Sequence, residues 1–153
     1  MPQSLSKIVV HLVFSTKDRL PFLKNEIKPR LHAYLSTLAR DHDWQCYRVG
    51  GVEDHVHLAI KQPRTANLSD LVGHIKRQST IWMKNEGVGE FHWQRGYGAF
   101  SVSPTDLSKL LEYIDQQEEH HVSTAAISVI RDRWRKLTSV ADFSVRQLFS
   151  TIF

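Results

Sequence analysis

The chain has 153 residues, of which 41% are hydrophobic and 24% are charged, with a formal net charge of +4. This is the composition of a single globular domain, and it excludes a collagen-like, coiled-coil or largely disordered chain. The basic excess lies mainly in residues 122–153, which hold five basic and two acidic side chains, and it fits a nucleic-acid partner no better than an ordinary solvated surface.

The first half of the chain alternates strand and helix patterns. A β-branched and apolar run predicts a strand over residues 7–15. Apolar residues at helical spacing predict a helix over residues 25–42, with Pro29 in its first turns. Strands follow over residues 45–49 and 55–61, and the intervening Gly50-Gly51 predicts a hairpin turn.

The second half adds two helices and a strand. Asn67 is the expected N-cap of a helix that runs to about residue 85, and residues 96–103 read as the fourth strand. Ser103-Pro104-Thr105-Asp106 is a helix start, and that helix continues to about residue 121. A further helix is predicted near residues 127–137. The order predicts an α+β, ferredoxin-like fold: a four-stranded antiparallel sheet with two helices on one face. The third helix, which carries Tyr113, or a partner would cover the other face.

Histidines and the single cysteine limit the chemistry. Cys46 cannot form an internal disulfide or a cysteine-based zinc site, and no apolar run approaches the roughly 18 residues of a membrane span. We therefore expect a cytoplasmic protein with no membrane partner and no small-molecule cofactor. Nine histidines instead indicate metal or acid–base chemistry.

Two histidines share one face of the third strand. In Asp54-His-Val-His-Leu58 the residues alternate, so His55 and His57 point away from the core that Val56 and Leu58 enter. Their backbones are about 7 Å apart, which lets both rings reach one cation. The alternative is a pair of ordinary solvent-facing histidines.

Tyr113 and Gln117 share one edge of the third helix. They are four residues apart, which places them about 6 Å from each other beside the leucine stripe. Alone, this is the pattern of a tyrosine at the rim of a core. Combined with the histidine pair, an amide oxygen and two imidazoles can hold a divalent ion, while a phenol beside them can attack a phosphodiester.

At these residues the sequence resembles the insertion-sequence 200/605-like single-tyrosine transposases, which belong to the HUH (His-hydrophobe-His) endonucleases. The resemblance covers most of residues 7–121 and rests on four stretches in the family order. They are His11-Leu-Val-Phe-Ser-Thr-Lys17, Asp54-His-Val-His-Leu58, Trp93-Gln-Arg-Gly-Tyr-Gly-Ala-Phe-Ser-Val-Ser103 and Tyr113-Ile-Asp-Gln-Gln-Glu-Glu-His-His121.

The resemblance implies a DNA transposase that cuts and rejoins single-stranded DNA at hairpin-marked ends through a 5′-phosphotyrosine bond. It implies Tyr113 as nucleophile, His55, His57 and Gln117 as ligands of Mg²⁺ or Mn²⁺, and a homodimer in which two chains extend one sheet. It also divides the chain into a transposase domain, residues 1–121, and a divergent basic tail, residues 122–153.

Candidate DNA contacts are basic or aromatic. The preferred ones are Lys76, Arg77 and Arg95, followed by Lys17 and Arg19, while Trp93 and Tyr97 are candidates for stacking on unpaired bases. Each is also explained as an ordinary surface or core residue. His11 is a further candidate for lining the site.

Other functions remain open at this stage. A host-domesticated relative would process chromosomal palindromes with the same residues. A non-catalytic ferredoxin-like nucleic-acid-binding module would explain the fold, but it would not require Tyr113. A structural metal protein would fold only with its metal and would form no covalent adduct with DNA.

Overall fold

A computed structural model describes residues 3–117 of the chain, and its elements follow the predicted order. Two 3₁₀ turns, Lys17–Arg19 and Pro104–Asp106, join the regular elements. The strands are β1 (Ile8–Ser15), β2 (Gln45–Gly51), β3 (His55–Gln62) and β4 (Gly98–Val102), and the helices are α1 (Lys28–Asp41), α2 (Leu68–Asn85) and α3 (Leu107–Asp115).

The four strands form one antiparallel sheet in the order β2-β3-β1-β4. β1 and β3 are central, with Leu12 opposite Leu58, and β2 and β4 lie at the two sides. A central strand thus separates β1 from β2, the two strands that α1 connects, as the ferredoxin-like arrangement requires. The predicted α+β class with a four-stranded antiparallel sheet is confirmed.

The main core lies between the sheet and helices α1 and α2. Helix α2 begins after Asn67, whose side chain accepts a hydrogen bond from the Ser69 backbone N–H and so satisfies one donor of the first turn. Alternate residues of the central strands enter this core. They are Val10, Leu12 and Phe14 from β1, and Val56, Leu58 and Ile60 from β3. The residues between them therefore face the other side of the sheet.

Helix α3 covers that other side. Leu110 and Ile114, one helical turn apart, pack against Ala59 of β3 in a second apolar cluster. Burying each of these side chains contributes about 1.5 to 3 kcal/mol to docking. Gly50 allows the close approach, because a Cβ there would lie 2.5 Å from Ile114 Cγ2 and 2.7 Å from the Ile114 carbonyl oxygen. The chain's own third helix thus covers the face that the sequence left open.

The turn predicted at Gly50-Gly51 is wrong. Both glycines belong to β2, where they pair with His57 and Val56, and the connection to β3 is made by residues 52–54. A Cβ at Gly51 would overlap the backbone of the returning strand. These glycines therefore permit close packing of strand on strand and helix on strand.

Several element ends also differ from the prediction. Helix α1 begins at Lys28, since residues 25–27 form a turn before it, and β4 is shorter than residues 96–103. The predicted end of the third helix near residue 121, the helix at 127–137 and the boundary between domain and tail lie outside the described residues. Within residues 3–117, no helix has the length and apolar character needed to cross a membrane.

Candidate active site

His55 and His57 lie side by side on β3 beneath helix α3. Their ring centres are 5.0 Å apart and the ring planes are inclined by 70°. The strand alternation predicted that both would face away from the main core. It did not predict their burial: they are only 7% and 5% exposed, because the sheet face that carries them is covered.

Asp54 and Arg19 form a chain of polar contacts that ends at His55. The Asp54 carboxylate lies 2.6 Å from His55 Nδ1, and Arg19 Nε donates to its other oxygen at 3.0 Å. Partial burial acts to raise the pKa of this carboxyl, but the hydrogen bond and charge of His55, together with Arg19, outweigh it and lower the pKa to about 2. Asp54 is therefore a carboxylate at neutral pH and holds Nδ1 of His55.

His11 makes the equivalent contact with His57. His11 Nε2 lies 2.8 Å from His57 Nδ1, within the sheet and away from solvent. The ring centres are 5.0 Å apart with planes only 25° from parallel. Each nitrogen is about 1.1 Å from its ring centre, so the 2.8 Å bond must run almost along the line of centres, and the rings meet edge to edge. Burial lowers the pKa of His11 to about 4 and keeps its ring neutral at pH 7.

The Tyr113 ring of α3 lies close to the rings of His57 and His11. Its ring centre is 5.5 Å from that of His57 and 6.0 Å from that of His11, with planes inclined by 85° and 78°. Packing of Leu110 and Ile114 sets this position, because Tyr113 is adjacent to Ile114 and three residues after Leu110. The Tyr113 side chain is partly exposed, whereas both histidines are buried.

Gln117 lies one turn beyond Tyr113 and is 4% exposed. Its Nε2 donates to the Tyr113 carbonyl oxygen at 3.1 Å. The residue also lines a cleft of about 220 Å³ together with Lys28, His32 and Gly50. Within the described residues Gln117 makes no hydrogen bond to His55 or His57. The structure therefore brings Tyr113 close to His57, whereas the described contacts of Gln117 are with the Tyr113 backbone and the cleft.

The histidine pair has a spacing that suits one divalent cation. Two imidazoles bound to one ion at about 2.1 Å have ring centres about 4.5 to 5.2 Å apart for angles between about 90° and tetrahedral, and the observed 5.0 Å falls in that range. Across residues 3–117, no third histidine, cysteine or carboxylate completes a cluster with metal-ligand geometry. Within that range the third donor would therefore be an oxygen such as the Gln117 amide, DNA or water.

Lys76 holds the loop before β4. Its ammonium donates to the carbonyl oxygens of Gln94 and Gly96 at 2.8 and 2.5 Å, and it lies 5.3 Å from the centre of the Phe14 ring. Burial lowers the pKa of Lys76 to about 8. The sequence made Lys76 a candidate phosphate contact, with an ordinary surface charge as the alternative. In the structure it supports the loop that carries Arg95, which is exposed.

The two aromatic candidates are placed differently from the basic ones. Trp93 is 9% exposed, its ring packs edge-on with Phe14 and Phe91 at 4.7 and 4.9 Å, and its Nε1–H donates to Ser79 Oγ at 2.8 Å. Because its ring belongs to the core, we correct its assignment as a base-stacking residue. Tyr97 is partly buried against the same core.

The remaining basic candidates are accessible. Lys17, Arg19 and Arg77 are exposed, like Arg95. Arg19 forms an ion pair with Asp54 and is therefore part of the chain of polar contacts that ends at His55. Lys17, Arg77 and Arg95 therefore remain the candidates for phosphate contacts.

Sequence reasoning gave no role to Asp54 and only a general one to His11. The signal for Asp54 was its position directly before His55. The signal for His11 depended on the pairing of β1 with β3. Because Leu12 lies opposite Leu58, His11 lies on the same sheet face as His55 and His57. In β1 itself every residue from Val9 to Ser15 is buried, so alternation within that strand indicated no face.

An antiparallel α+β sheet that presents a His-Val-His strand to a tyrosine-bearing helix defines the class of single-tyrosine DNA transposases. The family model described as "Transposase IS200 like" matches residues 4–117. The chain belongs to this family.

Relatives support the same assignment. The transposases for insertion sequence element IS200 of Salmonella typhimurium (strain LT2) and Salmonella typhi are 25% identical over 130 residues, covering 78% of this chain and 82% of each relative. The crystal structure of a candidate transposase from Deinococcus radiodurans R1 has a TM-score of 0.60 at 23% identity, covering 76% of this chain and 98% of that one. A REP-associated tyrosine transposase bound to a REP hairpin has a TM-score of 0.60 at 17% identity, covering 79% and 73%. The two solved structures bear on the fold alone.

Proposed function

We propose that this transposase cuts and rejoins single-stranded DNA beside hairpins, with Tyr113 as the nucleophile and His55 and His57 as ligands of Mg²⁺ or Mn²⁺. The observation that carries the proposal is the placement of the Tyr113 ring 5.5 Å from the ring of His57, one of two buried histidines. Family membership over residues 4–117 supports DNA transposition as the setting of this chemistry.

The reaction begins with the Tyr113 hydroxyl, which gives its proton to solvent water as its oxygen attacks the phosphorus of a phosphodiester. The new bond joins the tyrosine oxygen to the 5′-phosphate, and the bond from phosphorus to the 3′ oxygen breaks. The departing oxygen takes up a proton and becomes a free 3′-hydroxyl. Rejoining is the reverse displacement by a 3′-hydroxyl. The energy of the phosphodiester is retained in the phosphotyrosine bond, so no ATP is needed.

The protein contributes position and exclusion of water. Helix α3 is anchored on the sheet by Leu110 and Ile114, so the phenol is held at the site before DNA arrives. Holding reactants in a near-attack geometry lowers the entropic part of the barrier. His57 and His55 are only 5% and 7% exposed, so little water reaches the histidine pair.

A bound divalent cation would polarise the phosphate and help to stabilise the phenolate and the leaving oxygen. His55 and His57 would hold it through Nε2, since Nδ1 of each ring already contacts Asp54 or His11. Gln117 is the proposed third ligand. Imidazole nitrogen combined with oxygen donors suits Mn²⁺ better than Mg²⁺.

The proposed DNA partner is single-stranded DNA with hairpins. A neighbour of similar fold was solved bound to a REP hairpin, which supports this choice. Lys17, Arg77 and Arg95 are the accessible cations for its phosphates. We also propose a homodimer in which an edge strand of each chain extends a common sheet. Light scattering on the purified protein tests the dimer, and a monomer mass would contradict it.

The test of function is a covalent adduct that survives SDS. Wild type is mixed with labelled single-stranded oligonucleotides from the ends of its own gene locus in the presence of Mn²⁺ or Mg²⁺. We expect an adduct band with the wild type and none with Tyr113→Phe, because only the hydroxyl is removed. Tyr47→Phe is the matched control, since Tyr47 is a partly buried tyrosine packed on the same apolar cluster.

Two results would count against the proposal. An adduct in Tyr113→Phe at the wild-type rate would remove Tyr113 as nucleophile. Hairpin binding by the wild type without any adduct would instead favour a non-catalytic binding module.

A further inference from the structure

The two histidines of the candidate metal pair are held in the same way by different partners. His55 Nδ1 lies 2.6 Å from the Asp54 carboxylate, and His57 Nδ1 lies 2.8 Å from His11 Nε2. In both rings the nitrogen nearer the backbone is engaged with a neighbour. In the proposed metal site the other ring nitrogen, Nε2, would bind the cation.

A histidine binds a metal through a nitrogen that carries a lone pair, so ligation through Nε2 requires the hydrogen to be on Nδ1. For His55 the acceptor of that hydrogen is the Asp54 carboxylate, which can only accept. At His57 the described partner of Nδ1 is an imidazole, His11, in place of a carboxylate. The His57 Nδ1–H has to be accepted by His11 Nε2, and His11 then carries its own hydrogen on Nδ1.

We infer that His11 is a positioning residue which fixes the tautomer and ring orientation of His57 for metal binding. This rests on the proposed metal site of His55 and His57. The nearly coplanar, edge-to-edge geometry of the 2.8 Å contact makes it directional, so it sets the angle of the His57 ring as well as its proton. Partners of this kind are typically worth 10- to 100-fold in metal affinity, because they hold the ligand in its binding form.

The position of His11 explains why a neutral acceptor is used. His11 is 1% exposed in the middle of central strand β1, where an ionised carboxylate would lose its hydration. Asp54, by contrast, lies in the connection between β2 and β3 and is paired with Arg19 near solvent. An imidazole accepts the same hydrogen bond without a buried charge.

The first test needs neither metal nor DNA. Long-range ¹H–¹⁵N spectra of the metal-free wild type distinguish the two neutral histidine tautomers. We expect His57 to carry its hydrogen on Nδ1. A spectrum with that hydrogen on Nε2 would overturn the inference, whatever the outcome of the adduct assay.

The second test compares His11→Gln with His11→Leu. The Gln amide oxygen can take the place of Nε2 as an acceptor, whereas Leu fills similar space without one. In Mn²⁺ titrations followed by electron paramagnetic resonance, we expect His11→Leu to bind about 10- to 100-fold more weakly than wild type, and His11→Gln to recover most of that loss. His92→Leu, at an exposed loop histidine, is the control for removing a ring in general.

The outcomes separate the inference from the function on which it rests. Equal Mn²⁺ affinity of His11→Leu and wild type would refute the role of His11 even if Tyr113 forms its adduct. If the wild type forms the adduct but does not bind Mn²⁺, the metal proposal fails while the tautomer measurement still decides whether His11 fixes His57. Circular dichroism of each variant confirms that a loss of binding does not come from unfolding.

Discussion

Gly50→Ala should displace the tyrosine helix and slow DNA cleavage while leaving the histidine pair intact. An alanine Cβ at this position would be 2.5 Å from Ile114 Cγ2 and 2.7 Å from the Ile114 carbonyl oxygen. Ordinary contact requires about 1 Å more, and a backbone oxygen cannot rotate away as a side-chain tip can. Since Ile114 is the next residue after Tyr113, α3 and its phenol must move together.

The magnitude follows from this displacement. Overpacking of this kind costs about 1 to 3 kcal/mol, so the urea midpoint should fall. A misplacement of about 1 Å at a reacting group costs up to about 100-fold in rate, so the rate of adduct formation should fall by about 10- to 100-fold. Mn²⁺ affinity should fall less than the adduct rate, because His55 and His57 lie on β3 and only the proposed third ligand, Gln117, moves with α3.

Gly73→Ala is the matched control. Gly73 is an exposed glycine inside α2, and an added Cβ there meets nothing within 4 Å. This variant should gain about 0.5 to 1 kcal/mol from helix propensity and form adduct at the wild-type rate. A Gly50→Ala protein with wild-type stability and adduct rate would refute the claim that Gly50 sets the position of the tyrosine.

Three further changes test other parts of the structure. His57→Ala should abolish metal-dependent cleavage while hairpin affinity in gel shifts stays within a few-fold; an unchanged Mn²⁺ titration would remove His57 as a ligand. Trp93→Phe should lower the unfolding free energy by about 1 kcal/mol by deleting the bond to Ser79, whereas a loss confined to DNA binding would return Trp93 to a stacking role. The pKa of Lys76 is about 8 in the folded protein, against 10.5 for an ordinary lysine. Between these pH values the unfolded chain binds more protons than the folded protein. The stability of the wild type relative to Lys76→Met should therefore rise with pH across this range. We expect a rise of about 1 to 2 kcal/mol after solvent screening, and a difference that is flat or falls with pH in urea titrations would contradict the burial of the ammonium.

The features that local pattern determines were predictable from the sequence. Alternation in β3 placed His55 and His57 on one face, and helical spacing placed Tyr113 beside the leucines of α3. The Asn67 cap and the ferredoxin-like order were predictable for the same reason. Each depends on residues within a few positions of one another.

The errors arose where a residue's role is set by a distant neighbour. Gly50-Gly51 has the local pattern of a turn, but its glycines are required by Ile114 of α3 and by the backbone of β3. Trp93 was predicted to stack on bases because it lies in a basic segment. In the structure it packs in the core against Phe14 and Phe91 and donates a hydrogen bond to Ser79. Only the tertiary fold brings these partners together, so a local pattern carries no information about them.

Helix α3 connects the stability of the fold to the chemistry of the site. The apolar stripe that covers this face of the sheet also fixes the position of Tyr113. Ala59, two residues after His57 on the same strand face, is the buried sheet residue of that cluster. A small side chain at position 59 lets the helix lie close enough for Tyr113 to reach the histidine rings. A larger residue there would lift α3 from the strand that holds the histidines, so packing on this face and the distance from nucleophile to metal pair cannot be changed independently.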